Sequence, residues 1–556
     1  MVNLNSEYPT PLECLYYWEN KSPDYNYLHQ PYADGQLEVF SWARTLKEVR
    51  SMAAFLQAFK LAPGSKIAIM SSNCAHWLMA DYAIWMAGHV SVPIYPTLGR
   101  NEVKYILEHS ESKIFFAGKM EHWATIKPGV PLHIPSIAFP HNTDSKILQW
   151  KTIVNETDPL QGTPNRELDE LATIIYTSGS TGTPKGVMIS FRNIAMSEKA
   201  GESLLNLTPQ DRMISYLPLS HVAERRLVEA GSLTNGFQIY FAHSLETFIE
   251  DLQRARPTLF FSVPRLWMKF QMGVFEKVPQ EKLDKLLKIP ILSYFIKKKI
   301  LKGLGLDAAI NAGSGAAPIS KNLLEWYKKL GLEIIEGYGM TENFAYSHTN
   351  EPGNIKIGSV GIDNPLVETK IGENGEILIK SPSNMVGYYK DPQKTKEAFT
   401  SDGFLRTGDM GSIDEQGRLS IIGRVKEQFK TTKGEYIAPA PIEEKILGHH
   451  QIEMACVVGA GMIQPICLLN LSEHGQAEFF RDSKTVLDDL SLFLEKVNQG
   501  LLSHEKISKF IVVKENWQPE NGFLTPTLKI KRHVVEKYYA GQFDSWFKLK
   551  EKVVVA

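Results

Sequence analysis

The sequence predicts an α/β protein. A large N-terminal unit, residues 1–424, should hold mostly parallel sheets flanked by helices, and a small α+β unit should follow at residues 425–556. Two observations carry this. Short β-rich runs, KIAIM at 66–70, KIFFA at 113–117 and ATIIYT at 172–177, alternate with longer stretches of helical periodicity at 46–61 and 101–108. From about Arg418 onward the strand candidates, at 418–422, 455–459, 466–471 and 510–514, sit among short charged helices.

Taken in order, the N-terminus carries acidic residues and proline where an export signal would have a basic region and an apolar run. The most apolar early stretch, Ala75 to Pro93, contains His76, Asp81 and His89 and falls short of a clean bilayer span of ~20 residues, so it reads as a buried helix. The four cysteines, Cys14, Cys74, Cys456 and Cys467, are too widely spaced for a metal or redox motif, which fits a reducing, cytoplasmic setting. With 61 Lys+Arg against 62 Asp+Glu, the chain has no global field for nucleic acid. Glycine and proline are scattered, so the joint between the two units should be short. Nothing in the sequence specifies an oligomeric state.

The densest chemical signal is Tyr176 to Gly186, YTSGSTGTPKG. Glycines let backbone approach a ligand, hydroxyls and N–H groups donate to phosphate oxygens, and Lys185 adds a compact positive charge. The run lacks the Gly-Lys-Ser/Thr ending of a Walker A loop, which argues against a P-loop enzyme. The competing reading is an ordinary Gly/Ser loop.

This loop resembles the signature of adenylate-forming enzymes: acyl-CoA synthetases, luciferases and the adenylation domains of peptide synthetases. The resemblance extends through GSGAAP (313–318), GYGMTE (337–342), RTGDMG (406–411) and GRVKEQFKTTKGEYIAPAPIE (423–443), in family order. It implies a two-step reaction. A carboxylate attacks the α-phosphorus of ATP to give acyl-AMP and pyrophosphate, and the thiol of coenzyme A then takes the acyl group.

By the resemblance, Thr177, Ser178, Gly179, Ser180, Thr181, Gly182, Thr183 and Lys185 cradle the phosphates. Thr341 offers a hydroxyl to the α-phosphate and Glu342 a hard oxygen to Mg²⁺, although Thr-Glu also begins many helices. Gly313, Ser314, Gly315 and Ala316 would lie against the purine, with Gly337, Tyr338 and Gly339 on its other face. A tight strand-to-helix turn fits the first stretch equally well. Asp409 and Arg424 would hold the ribose, while an Asp after Gly is also a common turn residue.

The C-terminal unit of such enzymes rotates between the two steps. Lys426 falls at the hinge position, and Lys430 on the face used for thioester formation. In GFLTPTLKIKRHVVEKYY, from 522 to 539, the usual glycine before the adenylation lysine is replaced by Leu528, leaving Lys529 in the lysine position and Lys531 as a second candidate. Both also read as part of a solvated basic run.

YLPLSHVAERR (216–226) and FFSVPRLWMKF (260–270) resemble the long-chain branch, with His221 beside the acyl tunnel or, alternatively, a satisfied core histidine. The expected substrate is therefore a medium- to long-chain fatty acid. The alternatives are a fatty acyl-AMP ligase serving a carrier protein and a non-catalytic binding relative; no inserted segment of the kind that restrains the C-terminal unit is apparent. Finally, the lysine-rich segment 282–302 around IPILSYFI either docks on an anionic membrane or covers its own apolar face within the fold.

Overall fold

The computed structural model describes residues 7–177, 184–519, 521–525 and 528–556. Among them the strands form five sheets, of nine, eight, four, two and four strands. In the eight-stranded sheet Lys66–Met70 is central, parallel to Val90–Ile94 and Ile114–Ala117. Its side chains beyond Lys66 are buried, as expected where helices cover both faces of a parallel sheet. The nine-stranded sheet runs parallel through Arg212–Ser215, Leu259–Ser262, Asn311–Ser314 and Ile334–Tyr338, with antiparallel strands at its edges. The strands expected at 66–70, 113–117 and 172–177 are all present, within a residue at their ends.

The helix expected at 46–61 spans Trp42–Ala58. The Ser41 hydroxyl accepts from the Arg44 N–H at its start, and Trp42, Leu46, Val49, Met52, Ala53 and Leu56 make one buried face at helical spacing. The expected single helix over 75–93 is corrected. Helix Ala75–Met86 is buried throughout, but Gly88 at φ 88° ends it and the β-branched run Val90–Ile94 becomes a strand. Pro93 is tolerated there because the ladder to Leu171–Thr177 registers only at Ser91 opposite Thr173.

Asp81 sits in that buried helix for a reason. Arg225, itself fully buried, is ion-paired to Asp81 and lies 3.2 Å from Glu229, with its guanidinium 5.2 Å from the Trp77 ring. Arg225–Ala230 is wound as a π-helix, which brings Arg225 and Glu229 onto one side.

The strand expected from Arg418, Leu419–Arg424, pairs back onto Leu405–Ile413 in a four-stranded antiparallel sheet. Beyond it, Ile452–Val458, Ile466–Leu471, Phe510–Val512 and Val553–Val555 form a sheet with separate apolar clusters around Ile442, Leu469 and Leu490 and around Cys456, Leu468 and Trp517. Among the described residues no helix is long and apolar enough to cross a membrane.

Candidate active site

Strands Leu171–Thr177 and Lys185–Ser190 are antiparallel partners, with Thr177 opposite Lys185 at the base of the glycine-rich loop. The loop residues Ser178, Gly179, Ser180, Thr181, Gly182 and Thr183 lie outside the described residues. Strand Gly387–Tyr388 adds to the other edge of Lys185–Ser190 and sets the Tyr388 ring 5.0 Å from the Lys185 ammonium. The Tyr388 hydroxyl donates to Glu342 Oε1 at 2.9 Å, and the Met385 N–H donates to the Glu342 carbonyl at 2.7 Å. Lysine, tyrosine and carboxylate thus form one chain. Burial, then the Glu342 charge, keeps the Tyr388 hydroxyl protonated.

The small residues have reasons inside the protein. A Cβ on Gly313 or Gly315 would come within 3.1 Å of the Phe261 ring, and one on Gly339 within 2.5 Å of the Ala345 backbone. Ala316 holds φ 66°, the left-handed turn that ends the strand, and the buried Ser314 hydroxyl has no hydrogen-bond partner among the described residues. Gly337 lies in strand Ile334–Tyr338 opposite Thr349, and the buried Thr341 begins the short 3₁₀ turn Thr341–Asn343.

Asp409 is the best-fixed carboxylate of the cleft. It stands opposite Arg424 across the sheet, accepting from Arg424 Nε at 2.8 Å on one oxygen and from the Tyr338 hydroxyl at 2.7 Å on the other. Tyr338 is therefore tied to Asp409 by its hydroxyl, a link that sequence reading missed. Each carboxylate oxygen keeps a further lone pair for another donor.

Lys529 comes from a tight turn. The Lys529 N–H donates to the Thr525 hydroxyl at 3.1 Å, the Thr525 N–H to the Lys529 carbonyl at 2.8 Å, and Leu528 holds φ 61°. The left-handed angle explains why glycine is the usual occupant of position 528. Lys529 is exposed, and partial desolvation of its ammonium followed by the Arg424 charge lowers its pKa. Asp409, Glu427 and Glu342 pull the other way, so one lysine feels carboxylates from both the 409 and the 342 segments.

His221 belongs to the same neighbourhood. Its Nδ1 accepts from the Ala223 N–H at 3.2 Å, which leaves the proton on Nε2 in the neutral ring. Burial first and the Lys529 charge second lower its pKa to about 4. Lys531 differs from Lys529: its N–H bonds to the Phe523 carbonyl at 2.8 Å as it leads into helix Arg532–Tyr539, and its ammonium has no ion pair among the described residues. Lys430 stacks its ammonium 4.6 Å from the Tyr436 ring on a two-stranded ribbon, and among the described residues no hydrogen bond or ion pair joins it to the Asp409 group. Lys426 lies in the 3₁₀ turn Val425–Glu427.

Three residues escaped sequence reading: Tyr388, Glu427 and Glu336. Burial and then Glu444 raise the Glu336 pKa to about 8, and its Oε2 is unpartnered among the described residues. Glu427 sits three residues past Arg424, inside a motif already singled out, so its charge was the available signal.

Comparison with known proteins follows the same lines. The model of the AMP-binding enzyme family matches residues 16–389, and that of the AMP-binding enzyme C-terminal domain matches residues 426–551. Similar chains include a long-chain-fatty-acid–CoA ligase of Mycobacterium bovis, 28% identical over 95% of this chain and 95% of the relative. Another is long-chain-fatty-acid–CoA ligase 1 of Cavia porcellus, 31% identical over 90% of this chain and 81% of the relative. Among solved structures, the adenylation domain of a carboxylate reductase from Mycobacterium chelonae superposes with a TM-score of 0.84 at 23% identity, covering 98% of this chain and 92% of that one. The chain belongs to the AMP-binding enzyme family.

Proposed function

We propose that the protein activates a medium- to long-chain fatty acid with ATP and passes the acyl group to coenzyme A. The observation that carries this reading is the pair of fixed carboxylates, Asp409 held by Arg424 and Tyr338 and Glu342 held by Tyr388, brought from separate parts of the chain to where their charges act on Lys529. In the first step a carboxylate oxygen bonds to the α-phosphorus as the bond to pyrophosphate breaks. Negative charge shifts toward the departing pyrophosphate while the α-phosphoryl oxygens stay anionic. A preorganised ammonium at Lys529 stabilises that arrangement most where water is scarce, and Lys185 would neutralise the outer phosphates.

Asp409, oriented by Tyr338 and Arg424, would accept from the ribose hydroxyls. Thr341 would donate to the α-phosphate, and the 313–316 and 337–339 stretches would flank the base. Glu342 has one oxygen engaged by Tyr388, a donor set that suits Mg²⁺, which takes few protein carboxylates and keeps its waters. Bound there, Mg²⁺ would supply neutralising charge to the phosphates.

In the second step the thiol sulfur bonds to the acyl carbon, the carbon–oxygen bond to AMP breaks, and AMP leaves with the former carboxylate oxygen. For this we assign the Lys430 face, presented after residues 425–556 turn about Lys426. The long-chain assignment rests on the named relatives; for such a substrate each methylene buried would add ~0.8 kcal/mol.

A panel of fatty acids incubated with ATP and Mg²⁺, with and without coenzyme A, tests this by mass spectrometry. Acyl-CoA and AMP formed together for long acids support the reading. Acyl-AMP that accumulates despite coenzyme A would redirect it to a carrier-protein ligase, and no product at all to a binding protein.

A further inference from the structure

Helices Gln280–Leu287 and Pro290–Gly303 pack together over the cluster that holds Trp267 and Phe270. Their inner side is covered: Leu283 is buried, and Leu287, Ile296, Ile300 and Leu301 pack against that cluster. Their junction is not. Ile289 is 51% exposed, Ile291 78%, Leu292 39%, Tyr294 62% and Phe295 62%, so the self-covering expectation fails for this part of the segment. The Tyr294 and Phe295 rings touch edge-on, 5.5 Å apart, and stand together in solvent. Large apolar side chains clustered this way mark an interaction surface.

Charge says which kind. The two helices and the joint between them carry Lys282, Lys285, Lys288, Lys297, Lys298, Lys299 and Lys302 against only Glu281 and Asp284. None of these lysines is in an ion pair among the described residues. On the second helix Ile291, Phe295, Lys298 and Lys302 share one face, apolar through its first two turns and cationic from its third. At 1.5 Å per residue, Ile291 and Lys298 are about 10 Å apart along the axis. That matches the depth of roughly 5–10 Å to which an interfacial helix buries its apolar face below the headgroups.

We propose that this junction is a membrane-docking tip: Ile289, Ile291, Leu292, Tyr294 and Phe295 enter the acyl region of an anionic leaflet while the surrounding lysines meet lipid phosphates. The docking stands independently of the ligase reading. Under that reading it brings the enzyme to the phase in which long-chain acids dissolve.

The test is co-sedimentation of the full chain with phosphatidylcholine vesicles, with and without phosphatidylserine, at low and high salt. The wild type should bind the anionic vesicles, and raised salt should weaken that binding. Ile291→Glu with Phe295→Glu should abolish it, and Lys298→Glu with Lys299→Glu should weaken it by about tenfold or more. Thermal melting of both variants should match the wild type, since the altered side chains are exposed. Absence of wild-type binding, or binding that neither variant changes, overturns the proposal. So does a dimer that these substitutions dissociate while vesicle binding persists, because the surface would then serve a second copy of the chain.

Discussion

Two lysines two positions apart, Lys529 and Lys531, illustrate what single residues add to the account. Sequence alone put Lys529 in the lysine position and kept Lys531 as a second candidate, because a basic run has no direction. The turn at Thr525 gives one, and the charges of Asp409, Glu427 and Glu342 act on Lys529. Lys529→Met should therefore lower pyrophosphate–ATP exchange by about 10²–10³-fold, the usual scale for removing a preorganised charge. Lys531→Met should cost less than about tenfold in the same assay, since one kind of stabilising charge remains in place. His221 makes a pH prediction. Its ordinary pKa of 6.5 falls to about 4 on folding, so between those values the unfolded chain binds more protons than the folded one. The contribution of the neutral ring is complete above pH 6.5 and is lost as pH drops through that window. Chemical denaturation across this range should show a smaller loss of stability for His221→Asn than for the wild type, by on the order of 2–3 kcal/mol. Equal pH slopes for the two proteins would contradict the burial argument.

The turn around Leu528 shows how an element positions the lysine proposed for adenylation. A leucine at φ 61° is strained by roughly 1–2 kcal/mol relative to its preferred regions. Glycine relieves that strain but adds freedom to the unfolded chain, so the two effects nearly cancel. Leu528→Gly should leave stability within about 1 kcal/mol of the wild type and preserve exchange activity. Leu528→Val, β-branched and ill-suited to that angle, should reduce activity by moving Lys529. Exchange rates beside melting curves separate the two effects. Elements were legible where side-chain periodicity was strong: Lys66–Met70 was read to its ends, and the helix Trp42–Ala58 was found with its bounds three to four residues off. Legibility failed at Val90–Ile94, because a continuous apolar run has no period to tell helix from strand, and Gly88 was the overlooked break. It failed again at Asp81, whose partner Arg225 lies on a distant segment and could be found only in three dimensions.

At the scale of the whole molecule, the proposed adenylation step depends on how the C-terminal part meets the body. Arg265 on helix Pro264–Lys277 pairs with Glu453, and Lys269 on the same helix lies 3.9 Å from Glu473. These contacts cross between the two regions while Lys529 reaches the cleft and Lys430 stays on its ribbon. Arg265→Glu should accordingly slow acyl-AMP formation several-fold while leaving thioester formation from supplied acyl-AMP near the wild-type rate, as single-turnover assays of each step would show. The motif series was readable from sequence because its residues lie close together in the chain. Tyr338 with Asp409, and Tyr388 with Glu342, were not, since each pair joins segments more than forty residues apart. The central claim is that a carboxylate oxygen becomes bonded to the α-phosphorus. The most direct measurement supplies a long-chain fatty acid labelled with ¹⁸O in its carboxylate, together with ATP, Mg²⁺ and coenzyme A, and follows the label by mass spectrometry. One labelled oxygen per turnover should appear in AMP. Label absent from AMP but present in inorganic phosphate would mean attack at the γ-phosphorus and would contradict the account.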